Sequence, residues 1–107
     1  MPLVSVIIPT HNRARYAIPT IRSVLATSPD IEVIVCDTSE VDLISSEFTG
    51  HPNLKRLRLV RPNRPMSVVD NFNEALTAAT GDYLVFIGDD DFVSKKIIDV
   101  ARWAACE

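Results

Sequence analysis

Four short apolar runs alternate along the chain with segments in which apolar residues recur at helical spacing. The runs are rich in β-branched residues, which favours strands. Three of them are apolar nearly throughout, as is typical of strands covered on both faces of a parallel sheet. The third run along the chain has polar residues between its apolar ones, so we expect it near an edge of the sheet. The four predicted strands cover residues 4–8, 32–36, 54–60 and 83–87.

The segments between the strands predict helices. Residues 41–48 are only weakly helical, and the last helix is predicted to begin at Ser94. Ser67 is suited to cap the amino end of the third helix, and Gly81 to stop it. Pro19 fits the first helix only if that helix begins within the turn just before it. The apolar stripes of the three longer helices consist of Ala17, Ile21, Val24 and Leu25, then Val68, Val69, Phe72, Ala75, Leu76 and Ala79, then Ile97, Val100, Ala101 and Ala104.

This alternation of strands and helices predicts an α/β fold of one domain. We expect a mostly parallel sheet of about four strands, with right-handed crossovers and helices on both faces. In such sheets ligands bind outside the carboxyl ends of the strands, at a topological switch point. Candidate chemistry should therefore be sought where the strands end.

Three consecutive carboxylates, Asp89, Asp90 and Asp91, follow Gly88 directly after the fourth predicted strand. Like charges this close repel each other unless a cation neutralises them. Mg²⁺ and Mn²⁺ suit oxygen ligands of this kind and commonly hold a substrate phosphate as well. The run predicts a metal–phosphate site, and the alternative is a solvated acidic turn that caps the next helix.

The other strands also end in polar residues. Residues 10–13 bring hydroxyl, imidazole, amide and guanidinium groups, residues 37–39 bring a carboxylate and two hydroxyls, and Arg61 and Arg64 follow the third strand. A nucleoside diphosphate would find partners here, because carboxylates accept from base or ribose donors and arginines pair with phosphates. Each side chain taken alone also fits a solvated turn or a helix cap. Their joint placement on one edge is what points to a site.

Composition excludes several classes of protein. Apolar residues make up 47% and charged residues 23% of the 107 residues, which is globular composition. The net charge of −3 gives no bulk attraction for nucleic acid. No apolar run approaches the length of about 20 residues that a membrane span needs. Because Met1 stands just before the first strand, we expect no signal peptide and a cytoplasmic location.

The cysteines and glycines of the chain exclude further kinds of site and disfavour further classes of protein. Cys36 and Cys106 have no motif spacing, so neither zinc nor a disulfide framework is expected. The only glycines are Gly50, Gly81 and Gly88, so the chain has neither a G-x-G-x-x-G turn nor a Walker A sequence. This disfavours dinucleotide oxidoreductases and P-loop NTPases. Side chains and a metal would have to neutralise the phosphates instead.

Four segments, taken in order, resemble the N-terminal half of family 2 glycosyltransferases of the GT-A fold. They are VSVIIPTHNR at residues 4–13, EVIVCDTS at 32–39, NFNEA at 71–75 and GDYLVFIGDDD at 81–91. The match covers almost the whole chain in the expected spacing. It implies a Rossmann-like nucleotide-sugar-binding half of such an enzyme.

The resemblance implies roles for residues at matching positions. Pro9, His11 and Arg13 would border the nucleotide pocket, and Asp37 would contact the base. Asn71 matches the helix asparagine near the sugar-nucleotide pocket of the family.

The acidic run matches the region of the family's D-x-D motif. The resemblance makes Asp90 the first metal ligand, with Asp89 nearer the ribose or diphosphate and also in the metal set, and Asp91 auxiliary. Gly88 stands where many members have the first aspartate of the motif, which leaves the ligand set open. Thr38 replaces an acidic or amide residue common after the base-contacting aspartate, which bears on nucleotide choice.

The activity implied is Mn²⁺- or Mg²⁺-assisted transfer of a sugar from a UDP, dTDP or GDP donor to an acceptor hydroxyl, with inversion. The acceptor would be a glycan or a lipid-linked molecule, in polysaccharide or cell-envelope glycan synthesis. The resemblance places the full-length enzyme in the cytoplasm or against the inner membrane face.

Family members are longer than this chain, so we expect residues 1–107 to be a single truncated domain. The catalytic base would lie beyond residue 107, and the piece by itself would be inactive. Strands missing beside the fourth strand would leave an apolar edge exposed, which predicts self-association into a homo-oligomer.

Three other functions are alternatives for a chain of this size and pattern. A nucleotidyltransferase would carry a glycine-rich basic loop after the first strand, and residues 9–13 contain no glycine. A receiver-type signalling domain would need an acidic pair at Thr10 to Asn12, where this chain has none. A non-catalytic nucleotide-binding or assembly module stays open.

Overall fold

The computed structural model describes residues 3–52, 54–62, 67–91 and 96–105. Strands and helices alternate along these segments as the sequence predicts. In chain order they are β1 (Val4–Thr10), α1 (Ala14–Thr27), β2 (Ile31–Asp37), α2 (Ser45–Phe48), a 3₁₀ turn (Leu54–Arg56), β3 (Leu57–Val60), α3 (Val68–Ala78), β4 (Tyr83–Phe86) and α4 (Ile97–Ala105).

The four strands form one parallel sheet in the order β3-β2-β1-β4. In its register Val4 lies beside both Ile31 and Tyr83, and Val33 lies beside Leu57. The chain moves outward from β1 to β2 and β3, and then returns to place β4 on the other side of β1. This reversal makes the gap between the carboxyl ends of β1 and β4 a topological switch point. The predicted α/β class and four-stranded parallel sheet are confirmed.

Helices cover both faces of the sheet. On one face, side chains of β1 and β2 pack against α1, α2 and α4, with Phe48 and Ile21 fully buried between the layers. On the other face, Ile7, Ile34 and Cys36 pack against Ala75 of α3. Fully burying an aliphatic side chain of this size stabilises the fold by about 1.5–3 kcal/mol, so these two layers hold the strand ends in place.

The third strand is shorter than predicted. Leu54–Arg56 is a 3₁₀ turn, and the strand starts at Leu57. The reason is Arg56, whose guanidinium donates to the carbonyls of Leu25, Ser28 and Ile31 at 2.8–2.9 Å. These bonds tie the turn to the end of α1 and the start of β2. The predicted edge position of this strand is confirmed.

Of the two predicted ends of α3, the amino end is confirmed and the carboxyl end is wrong. Ser67 does cap the amino end, because its hydroxyl accepts from the Asp70 N–H at 3.1 Å. Gly81 does not stop the helix, which ends at Ala78 with an extended Ala79 as its cap. A Cβ on Gly81 would lie 2.7 Å from Ser5 Oγ and 2.8 Å from Ser5 N. Glycine is therefore needed there for the close approach of the β4 lead-in to β1.

The start of α1 also differs from the expectation. The helix begins at Ala14, so Pro19 lies inside it and beyond the first turn. A proline there removes one helical hydrogen bond. Pro19 is exposed, whereas the opposite side of α1 buries Ala17, Ile21 and Val24, which keeps the helix continuous.

The remaining expectations about helices are met only in part. Val69, Leu76 and Val100, which the sequence places in the apolar stripes of α3 and α4, are exposed. The weak segment 41–48 contains the four-residue α2. The last helix is present from Ile97, whereas its predicted start at Ser94 lies outside the described residues. Arg64 and Cys106 also lie outside them.

Candidate functional site

The loops that follow β1, β2 and β4 meet at the carboxyl edge of the sheet. The Thr38 N–H donates to the Thr10 carbonyl at 3.1 Å, and the Ile87 N–H donates to the Ile7 carbonyl at 3.1 Å. These bonds carry the sheet pairing into the loops on both sides of β1. The polar residues predicted for one edge are thus brought together, except Arg64, which lies outside the described residues.

Asp89 is the buried member of the acidic run, with 8% of its surface exposed. Its carboxylate accepts from the Thr10 hydroxyl at 2.8 Å and from Arg13 Nε at 3.0 Å. Its main-chain carbonyl accepts from the Thr20 hydroxyl at 2.8 Å. Side chains from β1 and α1 therefore fix the start of the acidic turn across the switch point.

Arg13 lies between the acidic turn and an aromatic ring. Besides its bond to Asp89, its Nη2 lies 3.4 Å from Asp90 Oδ2. Its guanidinium carbon is 4.5 Å from the centre of the Tyr16 ring. The hydrogen bond and the negative charge of Asp89 raise the pKa of Arg13, so this cation stays charged.

Asp90 and Asp91 are the exposed members of the run. Asp91 closes a tight turn, because its Oδ2 accepts from the Gly88 N–H at 3.1 Å and its own N–H donates to the Gly88 carbonyl at 3.2 Å. A Cβ on Gly88 would lie 3.0 Å from Asp91 Oδ2 and 3.3 Å from Asp90 Oδ1. Glycine at this position lets both carboxylates fold back over the turn.

Within the described segments, no three side chains gather into a closed metal cage. Mg²⁺ is commonly held by one or two carboxylates that share it with substrate phosphates and water. The oxygen donors of Asp90 and Asp91 fit that mode, whereas the carboxylate of Asp89 already serves Thr10 and Arg13. The metal roles of these three residues stay predictions.

Asp37, at the end of β2, is almost fully buried, with 2% of its surface exposed. Arg61 Nη1 donates to Asp37 Oδ2 at 2.7 Å, and the Ser39 N–H donates to Oδ1 at 2.9 Å. Arg61 Nη2 also donates to the Ser39 carbonyl at 2.9 Å. Two arginine bonds thus fix the loop after β2, and each carboxylate oxygen keeps a lone pair for another donor.

Sequence reasoning grouped Arg61 with the phosphate-binding side chains and missed this pairing. The only signal in the sequence was the opposite charge of Asp37, which ends β2, and Arg61, which follows β3. The strand register, with Cys36 beside Val60, is what makes them neighbours.

The loop after β1 is tied to the loop after β2. His11 Nδ1 lies 3.0 Å from the Thr38 hydroxyl, and the Asn12 N–H donates to the Ser39 hydroxyl at 2.6 Å. Asn12 has a φ of 56°, a left-handed conformation that asparagine tolerates better than most residues. His11 remains exposed at the edge, and its role at a nucleotide pocket stays a prediction.

Asn71 lies deeper than the other predicted residues, with 6% of its surface exposed. Its amide N–H donates to the Cys36 carbonyl at 3.4 Å, and the Cys36 thiol donates to its side-chain oxygen. Burial, followed by the charges of Glu74 and Asp37, raises the pKa of the Cys36 thiol to about 11. Asn71 thus supports the end of β2 from the α3 face, and Pro9, half-buried, lies beside Cys36 on β1.

Glu32 was not singled out by the sequence, although it is a carboxylate within an otherwise apolar strand. It lies at the opposite, amino edge of the sheet and is 4% exposed. Ser5, Thr80 and Gly81 donate to its Oε2 at 2.5–3.2 Å, and Arg58 lies 3.4 Å from its Oε1. Burial alone would raise the pKa of Glu32, and these bonds with the charge of Arg58 lower it. Its contacts are structural.

Comparison with known proteins adds a family to this geometry. The family model described as "Glycosyl transferase family 2" matches residues 5–102. Chondroitin synthase from Escherichia coli is 27% identical over 105 residues, which cover 94% of this chain and 15% of that protein. The chain therefore spans a small part of the length of this curated relative.

Two solved structures share the fold. A mannosyltransferase from Pyrobaculum calidifontis, in complex with GDP-Man and Mn²⁺, is 26% identical with a TM-score of 0.77, over 97% of this chain and 32% of that one. TarS 1-349 from S. aureus, in complex with UDP-GlcNAc, is 25% identical with a TM-score of 0.73, over 94% of this chain and 30% of that one. Among the described helices, none has the length and apolar character needed to cross a membrane.

Proposed function

The chain belongs to glycosyl transferase family 2, and we propose that its carboxyl edge binds the nucleoside diphosphate of a sugar donor. The observation that carries the proposal is the pairing of Arg13 with the acidic turn at the switch point between β1 and β4. A cation, two exposed carboxylates and the exposed His11 imidazole lie at the same edge of the sheet. The nucleotide-sugar complexes of two structural relatives support the same class of ligand.

The proposed pocket has two halves. Asp37, fixed by Arg61, and the neighbouring His11 would take the nucleoside, because carboxylates and imidazoles accept from base and ribose donors. Arg13 and the turn at Asp90 would take the diphosphate. Pro9 and Asn71 would support the first half from β1 and α3.

The proposed reaction of the whole protein is transfer of the sugar to an acceptor hydroxyl with inversion. A divalent ion shared by Asp90 and the diphosphate would neutralise charge on the leaving group. Arg13 would add a second positive charge beside it. The group that deprotonates the acceptor is proposed to belong to a part of the protein outside this chain.

The proposal also covers the donor nucleotide, the acceptor, the location of the protein and its self-association. The donor nucleotide is UDP, dTDP or GDP, and the acceptor is a glycan or a lipid-linked molecule of polysaccharide or cell-envelope synthesis. We keep the cytoplasm, or its face of the inner membrane, as the proposed location. A second copy of the chain is proposed to pair along β4, an edge strand in the described sheet.

Calorimetric titration of UDP, GDP and dTDP against the chain tests the proposal, with Mn²⁺ and then with EDTA. We expect one nucleotide to bind in the presence of Mn²⁺ and binding to fall by about tenfold or more with EDTA, because the carboxylates and phosphates then repel each other. In Asp90→Ala, nucleotide binding with Mn²⁺ should be no stronger than nucleotide binding with EDTA.

Asp82→Ala is the matched control, because Asp82 is an exposed aspartate just before β4, at the amino edge of the sheet. It should bind the nucleotide as the unchanged chain does. Equal effects of both substitutions, or metal-independent binding in Asp90→Ala, would contradict the proposed site.

A further inference from the structure

The acidic turn already has one cation of its own. Arg13 Nε is 3.0 Å from both oxygens of the buried Asp89, whereas its Nη2 is 3.4 Å from Asp90, whose side chain is 59% exposed. The first contact is a charged hydrogen bond shared between the two oxygens of a buried carboxylate. The second is longer and open to solvent, so it is the weaker of the two.

The geometry leaves most of the guanidinium available. Its five N–H donors exceed what these contacts use, since they involve Nε and one N–H of Nη2. The Tyr16 ring supports its flat face at 4.5 Å. The remaining N–H groups can therefore bond a second anion while Nε keeps its buried partner, Asp89.

We propose that Arg13 is a tethered counter-cation of the acidic turn, which neutralises Asp90 before the donor binds and turns to the diphosphate when the donor arrives. The inference rests on the proposed function and gives Arg13 a second role besides lining the pocket. While Arg13 sits beside Asp90, it repels a free divalent ion from that carboxylate. Once a diphosphate is present, the same charge stabilises the complex.

The consequence is a defined coupling between metal and nucleotide. The metal alone should bind weakly, and metal and nucleotide together should bind well. Removing the Arg13 charge should change the two affinities in opposite directions. A residue that only stabilised the fold would lower both.

Arg22 provides a matched control on the same helix. It pairs with Glu47 at 2.9 Å, lies over the Phe48 ring and is 50% exposed, compared with 45% for Arg13. It differs in lying away from the acidic turn. Arg22→Gln therefore removes a comparable charge and contact without touching the site.

The test measures Mn²⁺ binding alone, from the electron paramagnetic resonance signal of free Mn²⁺, and then nucleotide binding at fixed Mn²⁺ by calorimetry. In Arg13→Gln we expect roughly three- to tenfold tighter Mn²⁺ binding, because a competing charge is gone. We expect about tenfold weaker nucleotide binding in the same variant, because a charged phosphate contact is lost. Arg22→Gln should change neither.

Two further variants keep the test decisive. Asp90→Asn added to Arg13→Gln should abolish the gain in Mn²⁺ affinity. Arg13→Lys keeps the charge but not the fork of donors, so Mn²⁺ binding should stay near that of the unchanged chain while nucleotide binding weakens. Circular dichroism establishes that each variant is folded.

The inference is overturned if Arg13→Gln leaves Mn²⁺ binding unchanged or weakens it, or if nucleotide binding is the same with and without the Arg13 charge. A chain with Arg13 intact that binds no nucleotide contradicts the proposed function instead. In that case the Mn²⁺ affinities of the unchanged chain and of Arg13→Gln still show whether Arg13 competes with a cation at Asp90.

Discussion

Each buried carboxylate of this small sheet has a fixed set of partners. Asp37 has Arg61 and the Ser39 N–H, Asp89 has Arg13 and Thr10, and Glu32 has a ring of donors at the opposite edge. Burying a charge is costly unless it is paired and hydrogen-bonded. The pairing therefore explains how a 107-residue chain keeps carboxylates within its core.

Glu32 carries a prediction about acid stability. Its pKa is lowered from 4.5 in the fold, so its stabilising effect is present above about pH 4.5 and is lost as the pH falls through the lower folded value. Glu32→Gln should lower the free energy of unfolding at pH 7 by about 2 kcal/mol, since hydrogen bonds to a charge are lost. The substitution should also make the free energy of unfolding fall less steeply as the pH is lowered. Urea unfolding between pH 3 and pH 7 measures this change.

Glu47→Gln is the control, because Glu47 forms an exposed pair with Arg22. Such pairs contribute about 0–1 kcal/mol. A Glu32→Gln variant with the same pH dependence as the unchanged chain would show that the charge of Glu32 is not what the ring of donors stabilises.

At the scale of the elements, the cap of α3 is the clearest link from sequence to fold. Ser67 accepts from the Asp70 N–H and satisfies one of the free N–H groups of the first turn. The helix then covers Ile7, Ile34 and Cys36 through Ala75. Fixing this end also fixes Asn71, which supports the end of β2.

Ser67→Ala should lower the free energy of unfolding by about 1 kcal/mol, the usual cost of a lost N-cap. Urea unfolding with intrinsic fluorescence measures the change. Ser23→Ala is the control, because Ser23 is exposed within α1, where alanine is the better helix former. A loss no larger for Ser67→Ala than for Ser23→Ala would show that the cap does not hold the helix.

Some features of the helices and strands could be predicted from the sequence, and others could not. Strand positions, the parallel sheet and the N-cap follow from periodicity and local chemistry, so they could be predicted. The 3₁₀ turn before β3 and the role of Gly81 depend on contacts with distant residues, Arg56 with three carbonyls and Gly81 with Ser5. The partner of Asp37 follows only once the strand register is known.

At the scale of the whole molecule, polar side chains gather at the carboxyl edge of the sheet, and β4 is the outermost strand of the described sheet on its side. Leu84 on β4 is 44% exposed, and β4 ends the described sheet on that side. An uncovered apolar edge strand tends to pair with another chain.

The chain should therefore self-associate as its concentration rises, which light scattering coupled to size exclusion measures. Leu84→Lys should shift the chain toward monomer, because a charged residue on an edge strand opposes pairing. Leu43→Lys is the control, since Leu43 is 58% exposed but lies away from the sheet edge. A monomer at every concentration, or equal effects of both substitutions, would rule out pairing along β4.

The most direct test of the central claim is where a Mn²⁺–nucleotide complex sits on the sheet. Paramagnetic Mn²⁺ broadens the amide signals of nearby residues in a two-dimensional nuclear magnetic resonance spectrum. With the bound nucleotide, we predict broadening at residues 11–13, 37–39 and 88–91, and none beyond the general background at Glu32 and Gly81 on the amino edge. Broadening centred on the amino edge, or spread evenly over the molecule, would contradict a donor site at the switch point between β1 and β4.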